Sequence, residues 1–219
     1  MCRRLLWILF AGTWMPGQTL SPAIDNLIVP GVRVGPVRRA STEAALLAEL
    51  KGAAVQAGVD VGEGMVEPGL VIYKDDLTRR LEVVWNDEKP AHPATIFICR
   101  AENRQACRWH TASGIGMGTR LQELERRNGK PFEMVVWGSD VGGNVVSFDG
   151  GKLERELKAF GALRLTLVPR LDRDGGYLPK LTREEFDSVQ GEKFVQSSNP
   201  VLQKLNPSVG WMTLEFPRR

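Results

Sequence analysis

The stretch ALRLTLV, Ala162 to Val168, decides the fold. Its leucines at 163, 165 and 167 alternate with Arg164 and Thr166, a period of two. That period puts every apolar side chain on one face of a pleated strand and every polar one on the other. A strand wet on one side belongs to an antiparallel sheet more readily than to a parallel one, whose strands are covered on both faces. Working outward, Val209 to Phe216 reads as a last strand. Leu181 to Gln190 reads as a short helix, because Thr182 and Glu185 stand at capping-box spacing. Lys152 to Phe160 presents Leu153, Leu157 and Phe160 on one side of another helix, and Asp149-Gly-Gly151 before it reads as a hairpin or a helix-entry signal.

Further upstream, Phe132 to Trp137 and Asn144 to Phe148 are strand-like, with Gly138, Gly142 and Gly143 between them. Thr119 is expected to cap a helix, with Gln122 completing a capping box, Leu121 and Leu124 inward and Gly129 closing it. Ser41 or Thr42 starts a similar helix that runs to about Lys51, with Ala44, Leu46, Leu47 and Leu50 as its stripe and Gly52 as its stop. After it, Val59 to Gly69 reads as a turn region, Leu70 to Tyr73 and Leu81 to Trp85 as strands, and Asn86 to Pro93 as a polar loop. The fold class is therefore α+β: mainly antiparallel sheet with short capped helices. The two Thr-to-Gly helices, Thr42 to Gly52 and Thr119 to Gly129, lie 77 residues apart. Taken as an internal repeat, they divide the body into two tandem helix-plus-sheet units, 31–112 and 113–219.

The N-terminus reads differently. Arg3 and Arg4 precede the uncharged apolar run Leu5 to Met15, and Ser21 and Ala23 supply small residues for cleavage. That order is the pattern of a secretory signal peptide, 1–23, and an 11-residue run is shorter than the ~20 that a membrane span needs. Cys2 precedes the run and so is no lipobox cysteine. Removing 1–23 leaves a body of 196 residues, 24–219, and takes the formal net charge from +3 to +1. Near-neutral charge argues against a nucleic-acid binder. The expected location is periplasmic or secreted. In such an oxidising compartment Cys99 and Cys107, with seven residues between them, read as a disulfide. Ile96 to Cys99 would be one strand of a hairpin and Cys107 to Thr111 its return.

No motif commits the chain to a chemistry. Gly114-x-Gly116-x-Gly118 lacks the third glycine of a dinucleotide loop, since Leu121 stands there, and no Lys-Ser/Thr follows to make a phosphate loop. Asp172-Arg-Asp174-Gly-Gly176 has no glutamate at the twelfth position of a calcium loop. No Gly-x-Ser-x-Gly occurs, and the histidines are His92 and His110 alone. No metal site and no cofactor are expected. The acids Glu63, Glu67, Asp75, Asp140 and Asp149 offer material for a carboxylate pair, which sequence spacing cannot bring together. The most unusual stretch is WGSDVGG, Trp137 to Gly143, an aromatic and an acid in a Gly-rich tip. Trp137 and Asp140, joined by Trp109, His110 and Trp85, form a candidate binding surface. The plainer alternative places the tryptophans in the core and leaves the glycines to the turn.

Several segments together resemble a family of uncharacterised secreted bacterial proteins. They are GVRVGPV (31–37), EGMVEPG (63–69), DLTRRLEVVW (76–85), GIGMGTRLQEL (114–124), NGKPF (128–132), the run from Gly142-Gly143 to GGKL (150–153), and SNP (198–200) to LNP (205–207). The family supplies no activity and hence no catalytic residues. Its members often carry an aromatic pair about the position of Asp140, where this chain has Ser139 and Val141. The helix-then-sheet units are also similar to the tandem modules of β-lactamase inhibitor proteins and of small outer-membrane-assembly lipoproteins, a likeness of fold alone. The expectation is an exported, non-catalytic protein that binds another protein or an envelope component, with no stable membrane span after cleavage. A carboxylate-based periplasmic hydrolase is the alternative.

Overall fold

The computed structural model describes residues 25–89, 91–100, 106–158 and 163–216. The signal-peptide assignment to 1–23, and the contributions expected of Phe160 and Ala162, lie outside the described residues. In chain order the elements are β1 (Leu27–Val29), β2 (Arg33–Val34), β3 (Val37–Arg38), α1 (Glu43–Leu50), β4 (Ala54–Gly62), β5 (Met65–Ile72), β6 (Leu81–Trp85), β7 (Pro93–Ile98), β8 (His110–Thr111), α2 (Leu121–Asn128) and β9 (Glu133–Val135). They continue with β10 (Val145–Ser147), α3 (Lys152–Lys158), β11 (Leu163–Val168), β12 (Arg170–Leu171), β13 (Tyr177–Leu178), α4 (Arg183–Ser188), β14 (Phe194–Gln196), α5 (Pro200–Leu205) and β15 (Ser208–Glu215). This is an α+β fold dominated by antiparallel sheet, as the alternation at 162–168 predicts.

The main sheet has six strands in the order β11-β15-β7-β6-β5-β4, all antiparallel. Its core face is built in transverse rows. One row runs Leu165, Met212, Ile98, Leu81, Ile72 and Ala54 across all six strands, and every member is buried. The next runs Leu163, Leu214, Ile96, Val83 and Leu70 to Gln56, and only the last is exposed. Cross-strand neighbours of this kind are the unit of sheet stabilisation. A four-stranded sheet, β3-β2-β1-β8, and a three-stranded one, β10-β9-β14, complete the body with the two-stranded β12-β13. The two units expected at 31–112 and 113–219 share one sheet, because β15 of the second pairs with β7 of the first.

Several helix ends follow the sequence. The Thr42 hydroxyl accepts from the Ala45 N–H at the start of α1. Thr182 and Glu185 form the expected capping box at α4, and Gly129 closes α2 at φ 82°. Others differ. Lys51, at φ 49°, turns the chain after α1, and a 3-10 turn over Lys51–Ala53 runs through Gly52. Of the α1 stripe, Leu46 is buried whereas Ala44 is exposed. The N-cap of α2 is Arg120, not Thr119, whose hydroxyl instead accepts from the Gly116 N–H and holds the preceding turn. The first turn of α2 is served from across the molecule: the Asn206 side chain, at the end of α5, accepts from the Gln122 N–H.

The stretch read as a turn region, Val59 to Gly69, is largely strand. β4 and β5 form a long hairpin with Glu63 (φ 53°) and Gly64 (φ 75°) at its turn. β6 pairs with β5 only from Gly69 to Ile72, so the outer part of the hairpin projects beyond the sheet as an arm. On β5 the arm is exposed from Met65 to Pro68, so no alternation marks that stretch, whereas Val59 on β4 is buried. On the back of the sheet, Glu82 is buried between Arg80 (2.8 Å) and Arg100 (2.9 Å). Arg100 also lies over the Phe97 ring and donates to the Asp60 carbonyl, which ties the arm to β7.

Cys99 and Cys107 stand at disulfide distance, with Cα atoms 5.9 Å apart. The strand expected as the return of β7 does not pair with it. β7 lies between β6 and β15, and β8 pairs in parallel with β1. Closing a loop of this length restricts the unfolded chain by about 2–3 kcal/mol. A reductant is therefore expected to lower the melting temperature of oxidised protein, and a Cys99→Ala/Cys107→Ala variant to lose that sensitivity. An unchanged melting temperature in a sample shown to be oxidised would refute the role.

Candidate binding groove at the sheet edge

β4 is the outer strand of the six-stranded sheet and pairs only with β5. The Tyr73 N–H donates to the Ala53 carbonyl at 2.7 Å, which sets the phase of the antiparallel ladder. Residues 55, 57 and 59 thus turn their backbone groups toward β5, and residues 54, 56, 58 and 60 turn theirs outward. Ala54 uses its N–H on the Lys51 carbonyl, and Asp60 gives its carbonyl to Arg100. The outward backbone groups of Gln56 and Gly58 have no partner among the described residues. Pro68 fits this arm because it sits opposite Gly58 at a non-hydrogen-bonded position and one residue past the reach of β6. Its missing N–H therefore costs neither ladder.

At the base of the arm lies a groove of about 530 Å³, lined chiefly by Glu43, Gln56, Val66, Glu67, Pro68 and Trp85. Each arrives from a different local cause. Glu43 is the first residue of α1, just after its Thr42 cap. Gln56 ends a row of the core face where helix cover stops, and its amide donates to Glu43 at 2.8 Å. Trp85 ends β6 and packs against the core. The arm beside it exposes two large apolar side chains, Met65 at 56% and Val66 at 66%, among the acids Asp60, Glu63 and Glu67. The Glu43 carboxylate is not ion-paired among the described residues, and Glu67, opposite Val59, turns its side chain to the other face of the hairpin from Gln56 and Pro68.

The Trp85 indole N–H is buried without an acceptor. An unsatisfied buried donor costs stability, so removing it offsets part of what a smaller ring loses in packing. Trp85→Phe is expected to change unfolding free energy by less than about 1 kcal/mol. A larger loss on chemical denaturation would show that the indole N–H is satisfied in solution.

The surface expected from Trp137, Asp140, Trp109 and His110 is not assembled. Trp109 is 1% exposed, stacks on Tyr73 with centroids 6.4 Å apart and donates its indole N–H to the Arg79 carbonyl at 2.9 Å. Trp137 is 8% exposed, meets the Tyr177 ring edge-on at 5.7 Å and donates to the Leu167 carbonyl at 2.9 Å. Both tryptophans are core, because an indole is large enough to fill the space behind a strand end and each N–H finds a carbonyl there. Burial raises the phenol pKa of both companions, Tyr73 and Tyr177. His110 is exposed on β8 with Nδ1 2.9 Å from the Arg108 carbonyl, and Asp140 is exposed at the loop tip.

The five acids considered for a carboxylate pair sit on separate elements. Glu63 is at the hairpin turn, Asp75 pairs with its neighbour Lys74, Asp140 is at the 137–143 tip, and Asp149 accepts from Gln196 ahead of α3. Glu67 alone of the five lines the groove. The Gly114–Gly118 stretch is a turn, with Gly114 and Gly118 at positive φ. No group of three or more His, Cys, Asp or Glu side chains suited to a metal ion occurs among the described residues.

Sequence reasoning named Trp85 but not Glu43, Gln56 or Val66. The signal for them was the pair Glu63-Gly64 between two valine-rich runs, a hairpin signature of the kind that a two-residue turn leaves. No family model, no curated protein and no solved structure matches the chain. No helix among the described residues is long and apolar enough to cross a membrane.

Proposed function

We propose that the chain is an exported, non-catalytic protein that binds another protein in the periplasm or outside the cell, as a member of the secreted bacterial family it resembles. The observation that carries this reading is the arm: a β-hairpin that projects past its sheet, exposes Met65 and Val66, and leaves the outer edge of β4 open above a groove. Exposed apolar side chains beside unpaired strand edges mark protein-interaction surfaces. The cysteine pair at disulfide distance suits an oxidising compartment. The experiment is affinity capture from a periplasmic extract with protein starting at residue 24. The comparison is a variant with Met65→Ser and Val66→Ser at the arm tip, whose side chains are solvent-exposed and so leave the core unchanged. A stoichiometric partner held by the wild type and released by the variant supports the reading. Equal capture by both, or none by either, counts against it.

A further inference from the structure

We infer that the Cys99–Cys107 pair is a redox switch for the hairpin arm: while the bond is intact Arg100 holds the arm to the sheet, and reduction lets the arm go. This regulates the element on which the protein-binding reading above rests. The first observation is a reversal of side-chain order at the end of β7. Ile96 and Ile98 are buried on the core face, and Phe97 lies on the back of the sheet opposite Glu82. A strand continued past Ile98 would put Cys99 on the back with Phe97, and Arg100 on the core side. The opposite occurs. Cys99 is buried in the core cluster, whereas Arg100 lies over the Phe97 ring at 4.1 Å and donates to Glu82 at 2.9 Å. Cys99 stands at φ 49°, in the left-handed region, and that turn makes the reversal. A residue other than glycine stays there only where its surroundings hold it, and the bond to Cys107 is the covalent part of that hold.

The second observation is what Arg100 reaches. Its guanidinium donates to the Asp60 carbonyl, on the outer half of β4. That half has no further strand beside it, since β6 stops pairing at Gly69. A two-stranded hairpin is marginally stable by itself, so the outer pairs Val59–Glu67 and Asp60–Val66 depend on this tie. The third observation is chemical access. Cys107 is partly exposed, whereas Cys99 is 0% exposed. One thiolate of a dithiol reductant attacks the Cys107 sulfur, the S–S bond breaks, and Cys99 leaves as a thiolate that takes up a proton. The second thiol of the reductant then displaces Cys107 from the mixed disulfide. Two electrons and two protons pass to the cysteines, and the dithiol ends as a disulfide. The Thr78 carbonyl, 3.4 Å from the Cys99 Sγ, is placed to accept the S–H that results. Freed of the bond, Cys99 returns to extended backbone, which swings Arg100 off the back of the sheet and away from Asp60.

The test is hydrogen exchange at the Val59 and Glu67 amides, which the phase of the ladder makes a hydrogen-bonded pair. It uses the chain from residue 24, with and without a dithiol reductant. Exchange is expected to be at least about tenfold faster in the reduced protein. Oxidised Arg100→Ala should show the same acceleration, and adding reductant to it should change the two amides by less than about twofold. Arg100→Lys keeps a cation for Glu82 should the alanine variant fail to fold. It is expected to behave alike, because a single ammonium lacks the fork that spans Glu82 and the Asp60 carbonyl. Exchange at Leu163 to Val168 in β11, on the opposite edge of the sheet, reports general loosening. An arm indifferent to reduction, an arm that reduction loosens as much in the Arg100 variants as in the wild type, or an equal acceleration along β11 would each overturn the inference. Capture of a partner through the arm tip, with arm exchange unmoved by reductant, overturns the inference and leaves the protein-binding reading standing. Arm exchange that responds as expected, with no partner captured, does the reverse.

Discussion

Trp109→Ala is expected to destabilise the protein by about 3–5 kcal/mol, the range found when a large aromatic is removed from a core. For a chain of this size that is a fall in melting temperature on the order of 10 °C. Three losses combine. The cavity is deep, since Trp109 is among the largest fully buried side chains. The Arg79 carbonyl loses its donor, and Tyr73 loses the ring it stacks on. The backbone is shaped to this indole as well: Gly35 sits at φ 52°, and a Cβ there would overlap the Trp109 ring. Collapse into the space is therefore opposed by a turn that only glycine fits. A loss below about 1 kcal/mol, measured by chemical denaturation, would show that Trp109 is a surface residue after all.

Gly143→Ala is the second substitution with a large effect, expected at about 3 kcal/mol or more. Gly143 lies at φ 86°, where an L side chain is strained, and its Cβ would overlap the Leu167 carbonyl oxygen. The position is a crossing point. Its N–H donates to Val135, its carbonyl accepts from Leu167, and the Leu167 carbonyl takes the Trp137 indole N–H. No neighbouring atom is the loose end of a side chain, so the clash cannot be relieved cheaply. Asp140→Ala, three residues away on the exposed tip, is expected to fall within about 0.5 kcal/mol. Comparable losses from both substitutions would mean that the tip itself carries a structural load. Together the pair separates a glycine kept for a crossing from an acid kept for a ligand.

What could be read beforehand was whatever a local physical rule determines. Leu163 to Val168 alternates because one of its faces is buried, and the leucines are buried as that alternation requires. Thr182 and Glu185 cap α4 because both partners lie within one turn. What escaped depends on residues far apart in the chain. The start of α2 is capped by Asn206, 84 positions beyond Gln122, so Thr119 satisfied the local rule and still took another task. β8 joins β1 and not β7, a choice that spacing from Cys99 does not reveal. The hairpin arm was missed because Met65 to Pro68 is exposed throughout, leaving no inside and outside for a pattern to record. The groove was missed with it, since Glu43, Gln56 and Trp85 meet only once that arm is in place.

The position of β15 has a consequence for how the protein is made. It lies between β11 and β7, so the six-stranded sheet remains in two pieces until residues 208–215 have left the ribosome. Hairpins such as β4–β5 form early, but the rows that cross from Leu165 to Ala54 cannot close during synthesis of the preceding two hundred residues. Loop closure over such separations is slow. The core rows are therefore completed by the last strand to be made.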